Sequence, residues 1–340
     1  MKRILILAAV AALTASACTK SFEAVPTQGS SLGFGTWANV LTKARTAGSS
    51  TFVNGDDFNV YGFKTISSAN TTVFNGDVVS FDGTDWTYSD LRFWDTNASS
   101  YTFYAASPAG MIASADAQTG EFTSNSITFA GNDNDILVAD KAVVANADFN
   151  NLVNLSFNHI ASLVDFKVKK HAEIAAATVS VTSFQISDID NVGSFSVNGA
   201  YSANHPVVTW NATARGMYSN TSGVTSVATL PDDIGTDGSD FLINHLVVMP
   251  QTFRTDANKQ TVTIEYTITS GGDTVNESAT FDLKTFDNAD DKDNEDTLIG
   301  GWEGGKHYTF YITINANAIT FSASIADWVT DDNGYHYLLK

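Results

Sequence analysis

Thr261-Val262-Thr263-Ile264-Glu265-Tyr266-Thr267-Ile268 decides the fold class. Val262, Ile264, Tyr266 and Ile268 fall at every second position, with Thr and Glu between them. Successive strand side chains point to opposite faces, so this spacing gives one apolar and one polar face. Branched and aromatic side chains also suit a pleated, half-buried surface. The same period recurs outward in both directions. Downstream, residues 276–283, 308–314 and 319–325 read as strands, the last with Ile319, Phe321, Ala323 and Ile325 on one face. The tail 334–340 alternates again, with Tyr335, Tyr337 and Leu339 on one side. Upstream, residues 241–249, 226–230, 207–210, 193–197, 178–189 and 153–168 carry strand patterns, while 172–177 suits one helical turn.

Before residue 150 the strands are short and closely spaced: 51–63, 73–74, 78–79, 86–88, 92–94, 101–106, 121–129 and 135–142. Asn75-Gly76-Asp77 and Asp82-Gly83 carry hairpin-turn chemistry. Many short strands punctuated by turn residues predict an all-β sandwich or barrel. The chain of 340 residues has room for two domains. The polar, weakly patterned stretch 145–154 predicts the boundary, giving units over 46–148 and 149–340.

Charged residues make up only 16% of the chain, and Ser, Thr, Asn and Gly are abundant, a balance that favours strands and turns. The net charge is −19. Residues 1–45 hold five cations and one anion, so the remainder carries −23. Such a surface repels nucleic acid and anionic lipid.

The first 47 residues contain three instructions in series. Lys2 and Arg3 precede an apolar run, 4–13, of signal-peptide length. Thr14-Ala15-Ser16-Ala17-Cys18 follows and resembles a lipobox, although Ala15 stands where Leu is usual. Residues 1–17 are therefore expected to be a signal peptide and Cys18 a lipidation site; ordinary cleavage after Ala17 is the alternative. Cys18 is the only cysteine, so no disulfide forms within the chain. Next, residues 31–41 suit a strand bearing Leu32, Phe34, Trp37, Val40 and Leu41. Lys43-Ala44-Arg45-Thr46 then offers a basic site for cutting. A strand followed at once by a cleavable link can be removed after folding. The alternative is a permanent first strand with Arg45 in a loop.

Little in the chain points to catalysis or ligand chemistry. Asp287, Asp290, Asp291, Asp293, Glu295 and Asp296 form an acidic stretch whose spacing does not fit an EF-hand, and a solvated loop is the simpler expectation against Ca²⁺. The six histidines show no metal-ligand spacing, and His159 fits a satisfied core histidine. Gly300-Gly301 and Gly304-Gly305 flank Trp302 in a turn and form no phosphate loop. No Gly-x-Ser-x-Gly elbow is present. The expectation is a non-enzyme without cofactor or metal.

Several local patterns, in order, carry a family resemblance. They are Leu32-Gly33-Phe34, the basic stretch 42–47, Phe58-Asn59-Val60-Tyr61-Gly62-Phe63, the strand at Trp86, and Phe103-Tyr104-Ala105-Ala106-Ser107-Pro108. Residues 155–162, 302–310 and 325–328 continue the set. Together with the lipobox it resembles the fimbrillin family of Bacteroides-type bacteria, the Mfa-like lipoprotein pilins. The resemblance implies two transthyretin-like β-sandwich domains in tandem. It implies export as an outer-membrane lipoprotein and a cut by an arginine-specific surface protease between Arg45 and Thr46. Lys43 competes as the cut site, because the local order departs from the usual Thr-Arg-Ala. The propeptide 18–45, with Leu32, Phe34 and Trp37 on its removable strand, would then leave a groove. The C-terminal segment of another pilin subunit, bearing Ile319, Phe321, Ile325, Tyr335, Tyr337 and Leu339, would fill it and build an extracellular, adhesive type V fimbria. A surface glycan-binding lipoprotein using Trp86, Trp94 or Trp210 is the second hypothesis.

Overall fold

The computed structural model describes residues 28–36, 52–131, 135–220, 240–286, 299–315 and 319–327. Within them the fold is all-β, with three short 3₁₀ turns. One of these turns, Ala172–Ile174, lies where a single helical turn is expected.

Three larger sheets organise the molecule. The first runs in the order Phe157–His159, Leu137–Ala139, Ser100–Ser107, Asp57–Ile66, Ala69–Phe81, Trp86–Thr87, with Ala142–Ala145 sharing an edge of Ser100–Ser107. The second centres on Thr178–Ser202, a strand of 25 residues that folds back as a hairpin with His205–Asn220. Its early half pairs with Thr261–Ser270, and its late half with Glu121–Ser124. The third has four strands in the order Asp240–Val248, Ser162–Lys170, Lys306–Ile314, Ile319–Asp327.

The alternation of side chains explains how these sheets stack. Along the first sheet, Phe58, Val60, Tyr101, Phe103, Leu137 and Ala139 face one core. Their neighbours Tyr61, Phe63, Tyr104, Ala106 and Val138 face another, shared with Phe122, Phe195 and Val197 of the second sheet. Every residue from Tyr101 to Ser107 is buried, as expected of a central strand covered on both faces. The third core lies between the second and third sheets. There Phe166 stacks on Phe310 at 4.6 Å and also meets Phe184.

Hydrogen-bonded strands cross the expected boundary at residues 148/149 in both directions. Phe157–His159 joins the first sheet through Leu137–Ala139. Glu121–Ser124 and Ile127–Thr128 join the second through Thr178–Ser202.

Two local expectations need correction. Asn75-Gly76-Asp77 is not a turn. It lies inside Ala69–Phe81, where Val60 pairs with Asp77 and Tyr61 with Asn75, leaving Gly76 (φ 91°) as a bulge. The hairpin instead turns at Ser67-Ser68, both in the left-handed region at φ 48° and 69°. Residues 178–189 and 193–197 are likewise one strand, not two. Register shifts between Ile186 and Ile189 and around Val192 interrupt its alternation. By contrast, Asp82-Gly83 turns as expected, with the Asp82 carboxylate accepting the Thr84 and Asp85 N–H groups.

Candidate functional site

The site is the seat of the early segment on the open face of the first sheet. The segment forms two short strands, Gln28–Ser31 and Phe34–Thr36, where the periodicity predicts one. Gln28–Ser31 pairs antiparallel with Phe93–Asp95, and Phe34–Thr36 pairs parallel with Val153–Leu155. Leu32 and Phe34 are 1% and 4% exposed. The Phe34 ring sits edge-on among Phe74, Tyr88, Phe103 and Phe58, with centroids 5.4 to 6.0 Å away. Burying these two side chains contributes about 1.5–3 kcal/mol each.

Among the described residues, the following polar contacts hold the segment beside its strand pairing. The Leu32 N–H donates to the Arg92 carbonyl at 2.8 Å, and the Tyr88 hydroxyl donates to the Leu32 carbonyl at 2.7 Å. The Val153 N–H donates to the Gly33 carbonyl at 2.8 Å. The Asn150 side-chain oxygen accepts from both the backbone and the hydroxyl of Ser30. Burial pushes the Tyr88 phenol up from its ordinary value, so it stays a neutral donor. Arg92 is fixed beside the seat by Asp77 at 3.0 Å and lies over the Phe74 ring. Removal of the segment would strip partners from Tyr88, Val153 and the Arg92 carbonyl and open an apolar slot beneath them. Leu91, Phe93 and Leu152 lie exposed along its rim.

The other predicted site residues fall as follows. Ile319, Phe321 and Ile325 lie on the strand Ile319–Asp327, which pairs along its whole length with Lys306–Ile314 of the same chain. Cys18, Trp37, Lys43, Arg45, Thr46, Tyr335, Tyr337 and Leu339 lie outside the described residues, as does the acidic stretch 287–296. His159 is buried against Asp135. Of the aromatics considered for glycan stacking, Trp94 is fully buried and stacked on Phe149, and Trp86 packs against Phe52, Phe58 and Phe81. Trp210 borders a groove. Tyr88, Arg92 and Asn150 were missed as seat residues, because their roles depend on contacts 56 to 120 positions away in sequence. Among the described residues no group of three or more His, Cys, Asp or Glu is placed to hold a metal ion, and no helix is long and apolar enough to cross a membrane.

An all-β chain of stacked sheets with a two-part early strand plugged into the first core defines the structural class. The sequence profile of the fimbrillin-like family matches residues 42–328, and the chain belongs to that family, one of fimbrial structural proteins. Two solved structures share the fold. One is a fimbrial protein from Bacteroides vulgatus, 15% identical over 88% of this chain and 99% of that one, with a TM-score of 0.52. The other is a proposed cell adhesion protein from Bacteroides uniformis, 16% identical over 85% of this chain and 98% of that one, with a TM-score of 0.50. No curated protein matches the sequence. Family membership gives the coarse role of a cell-surface fimbrial subunit that assembles with other subunits.

Proposed function

We propose that the protein is a type V pilus subunit whose early segment reserves a groove for a neighbour's C-terminal segment. In this scheme Cys18 is acylated and anchors the precursor to the outer membrane. An arginine-specific surface protease cuts between Arg45 and Thr46, residues 18–45 leave, and subunits polymerise into an adhesive fimbria. Two sandwich units, divided near residues 148/149, share the long hairpin and so move as one rod element. The supporting observation is that Leu32 and Phe34 are buried in an aromatic core while their ladder to Val153–Leu155 is three residues long. Such a segment is stabilised by side-chain burial, which another chain's apolar strand can replace. The exposed rim of Leu91, Phe93 and Leu152 favours a longer replacement.

The donor is placed in the tail beyond Asp327, bearing Tyr335, Tyr337 and Leu339. Ile319, Phe321 and Ile325 would join it only if Ile319–Asp327 leaves its own sheet. The test is limited digestion of the purified precursor with an arginine-specific protease, with the new N-terminus sequenced. The expected result is a chain starting at Thr46, otherwise intact, that forms SDS-resistant ladders. Arg45→Ala abolishes the ladder and Lys43→Ala does not. A cut chain that stays monomeric with residues 28–36 still bound overturns the scheme.

A further inference from the structure

A groove of about 1000 Å³ lies where the outer arm of the long hairpin meets the loop after Ile299, away from the seat of the early segment. We infer that it binds a neutral oligosaccharide. Trp210 forms part of one wall. Its indole N–H donates to the Ile160 carbonyl at 3.0 Å, and its ring packs on Phe129 and Phe195. The ring is therefore held still while remaining only half-buried. A fixed aromatic face of this kind suits the C–H face of a pyranose ring, at little entropic cost to the protein.

Other residues of the lining complete the groove. Trp302 lines the groove and is 2% exposed, yet its indole N–H has no partner among the described residues. That N–H is itself enclosed, so Trp302 contributes the apolar floor of the groove rather than a donor to a ligand. Glu303 adds an exposed carboxylate, and Gly300 leaves open space where a side chain would stand.

Charge selects the ligand class. Among the described residues that line the groove there is no Lys or Arg. Its two histidines already face carboxylates, His159 that of Asp135 and His205 that of Asp140. With a net charge of −19 behind it, the groove disfavours phosphate, sulfate, sialic acid and uronate groups. A ligand rich in hydroxyls and without charge suits the aromatic wall, the lone carboxylate and the polar side chains Asn158, Thr209 and Gln251 together. Its size falls at the upper end for small-molecule sites, which suits several linked sugars.

The test is isothermal titration and tryptophan fluorescence of the full chain against maltotetraose, cellotetraose, mannotetraose and N-acetyllactosamine, with sialyllactose as the anionic control. At least one neutral saccharide is expected to bind and sialyllactose is not. Gly300→Leu fills the open space without touching the packed strands and abolishes binding. Trp210→Ala weakens binding about tenfold, and Trp210→Phe by less. Circular dichroism of each variant separates these losses from misfolding. The proposal is overturned if no neutral saccharide binds, or if Gly300→Leu binds as the parent does. It is also overturned if amides of residues 328–340 are protected from hydrogen exchange and Gly300→Leu removes that protection, because the occupant is then the chain's own tail. None of these outcomes depends on strand exchange, so an Arg45→Ala precursor serves equally well.

Discussion

At the front of the chain, Phe34–Thr36 meets its neighbour over three residue pairs; near the end, Ile319–Asp327 meets Lys306–Ile314 over nine. The front segment compensates with side chains, Leu32 and Phe34 being almost wholly enclosed. The strand Ile319–Asp327 is paired by backbone along its whole length, and its Ile325 packs against the third core. A backbone ladder forms rung by rung and resists loss as a unit. Two plugged side chains can leave once their covalent tether is cut, provided something equally apolar arrives. The two segments thus differ threefold in ladder length, a difference that the proposed strand exchange would use.

The largest test of this contrast is Phe34→Ala. Losing a ring enclosed by four aromatic neighbours costs about 3–5 kcal/mol in the uncut chain. Urea unfolding of the uncut precursor should show that loss. The same substitution should have no effect on chains cut after Arg45 and left to assemble, because residue 34 then departs with the segment. Equal losses in both forms would mean that the segment never leaves.

Asp135→Asn probes the wall of the seat rather than its plug. Asp135 and His159 are both buried and bind Leu137–Ala139 to Phe157–His159, two positions after the strand that receives Phe34–Thr36. Weakening a buried hydrogen-bonded pair from one side costs about 1–3 kcal/mol. Here the cut and uncut chains should lose the same amount, because the pair stays behind when the segment goes.

How much of this was legible beforehand depends on the range of the interactions. Leu32 and Phe34 stood out because a strand-like apolar pair beside a basic link is a local pattern. The all-β class followed from period-two alternation, as at Val262, Ile264 and Tyr266. The turn at Ser67-Ser68 was not legible, since neither serine is a residue that favours positive φ. Gly76 misled because a glycine with φ above zero serves a bulge as readily as a turn. The long hairpin was hidden by its own bulges, which move its apolar residues from one core to the other. Leu32's partners Tyr88 and Arg92 could not be found without the tertiary fold.

The two regions should also respond to opposite extremes of pH. Burial raises the Asp165 carboxyl, but the hydrogen bond and charge of His307 and the His245 N–H outweigh it, leaving it below its ordinary value. Burial lowers His245, against the opposing pull of Asp165 and with help from His307 and Lys167. Both shifts favour the deprotonated form in the folded state. Their stabilisation is present above the unfolded values of 6.5 for His245 and 3.8 for Asp165, and is lost as pH falls through the folded ones. At the seat the sign reverses. The raised Tyr88 pKa stabilises below the unfolded value of 10.0 and is lost as pH rises through the folded one. Hydrogen exchange should show acid loosening the four-stranded sheet first and alkali loosening residues 28–36 first. Asp165→Asn should shallow the acid limb, to which His245 also contributes, and Tyr88→Phe the alkaline limb, to which other buried tyrosines such as Tyr61, Tyr101 and Tyr308 also contribute.

The smallest effect belongs to the end of the last strand. Lys306 and Asp327 form an ion pair at 2.6 Å on the first rung of the nine, but both side chains are well exposed. Water screens such a pair, and holding two long side chains together costs entropy. Lys306→Ala should therefore change stability by less than about 1 kcal/mol, fading further in high salt. Thermal unfolding at low and high ionic strength measures it. A near-zero result fits a strand held by its backbone ladder; a loss approaching that of Phe34→Ala would mean that the last strand, like the first, hangs on a single side chain.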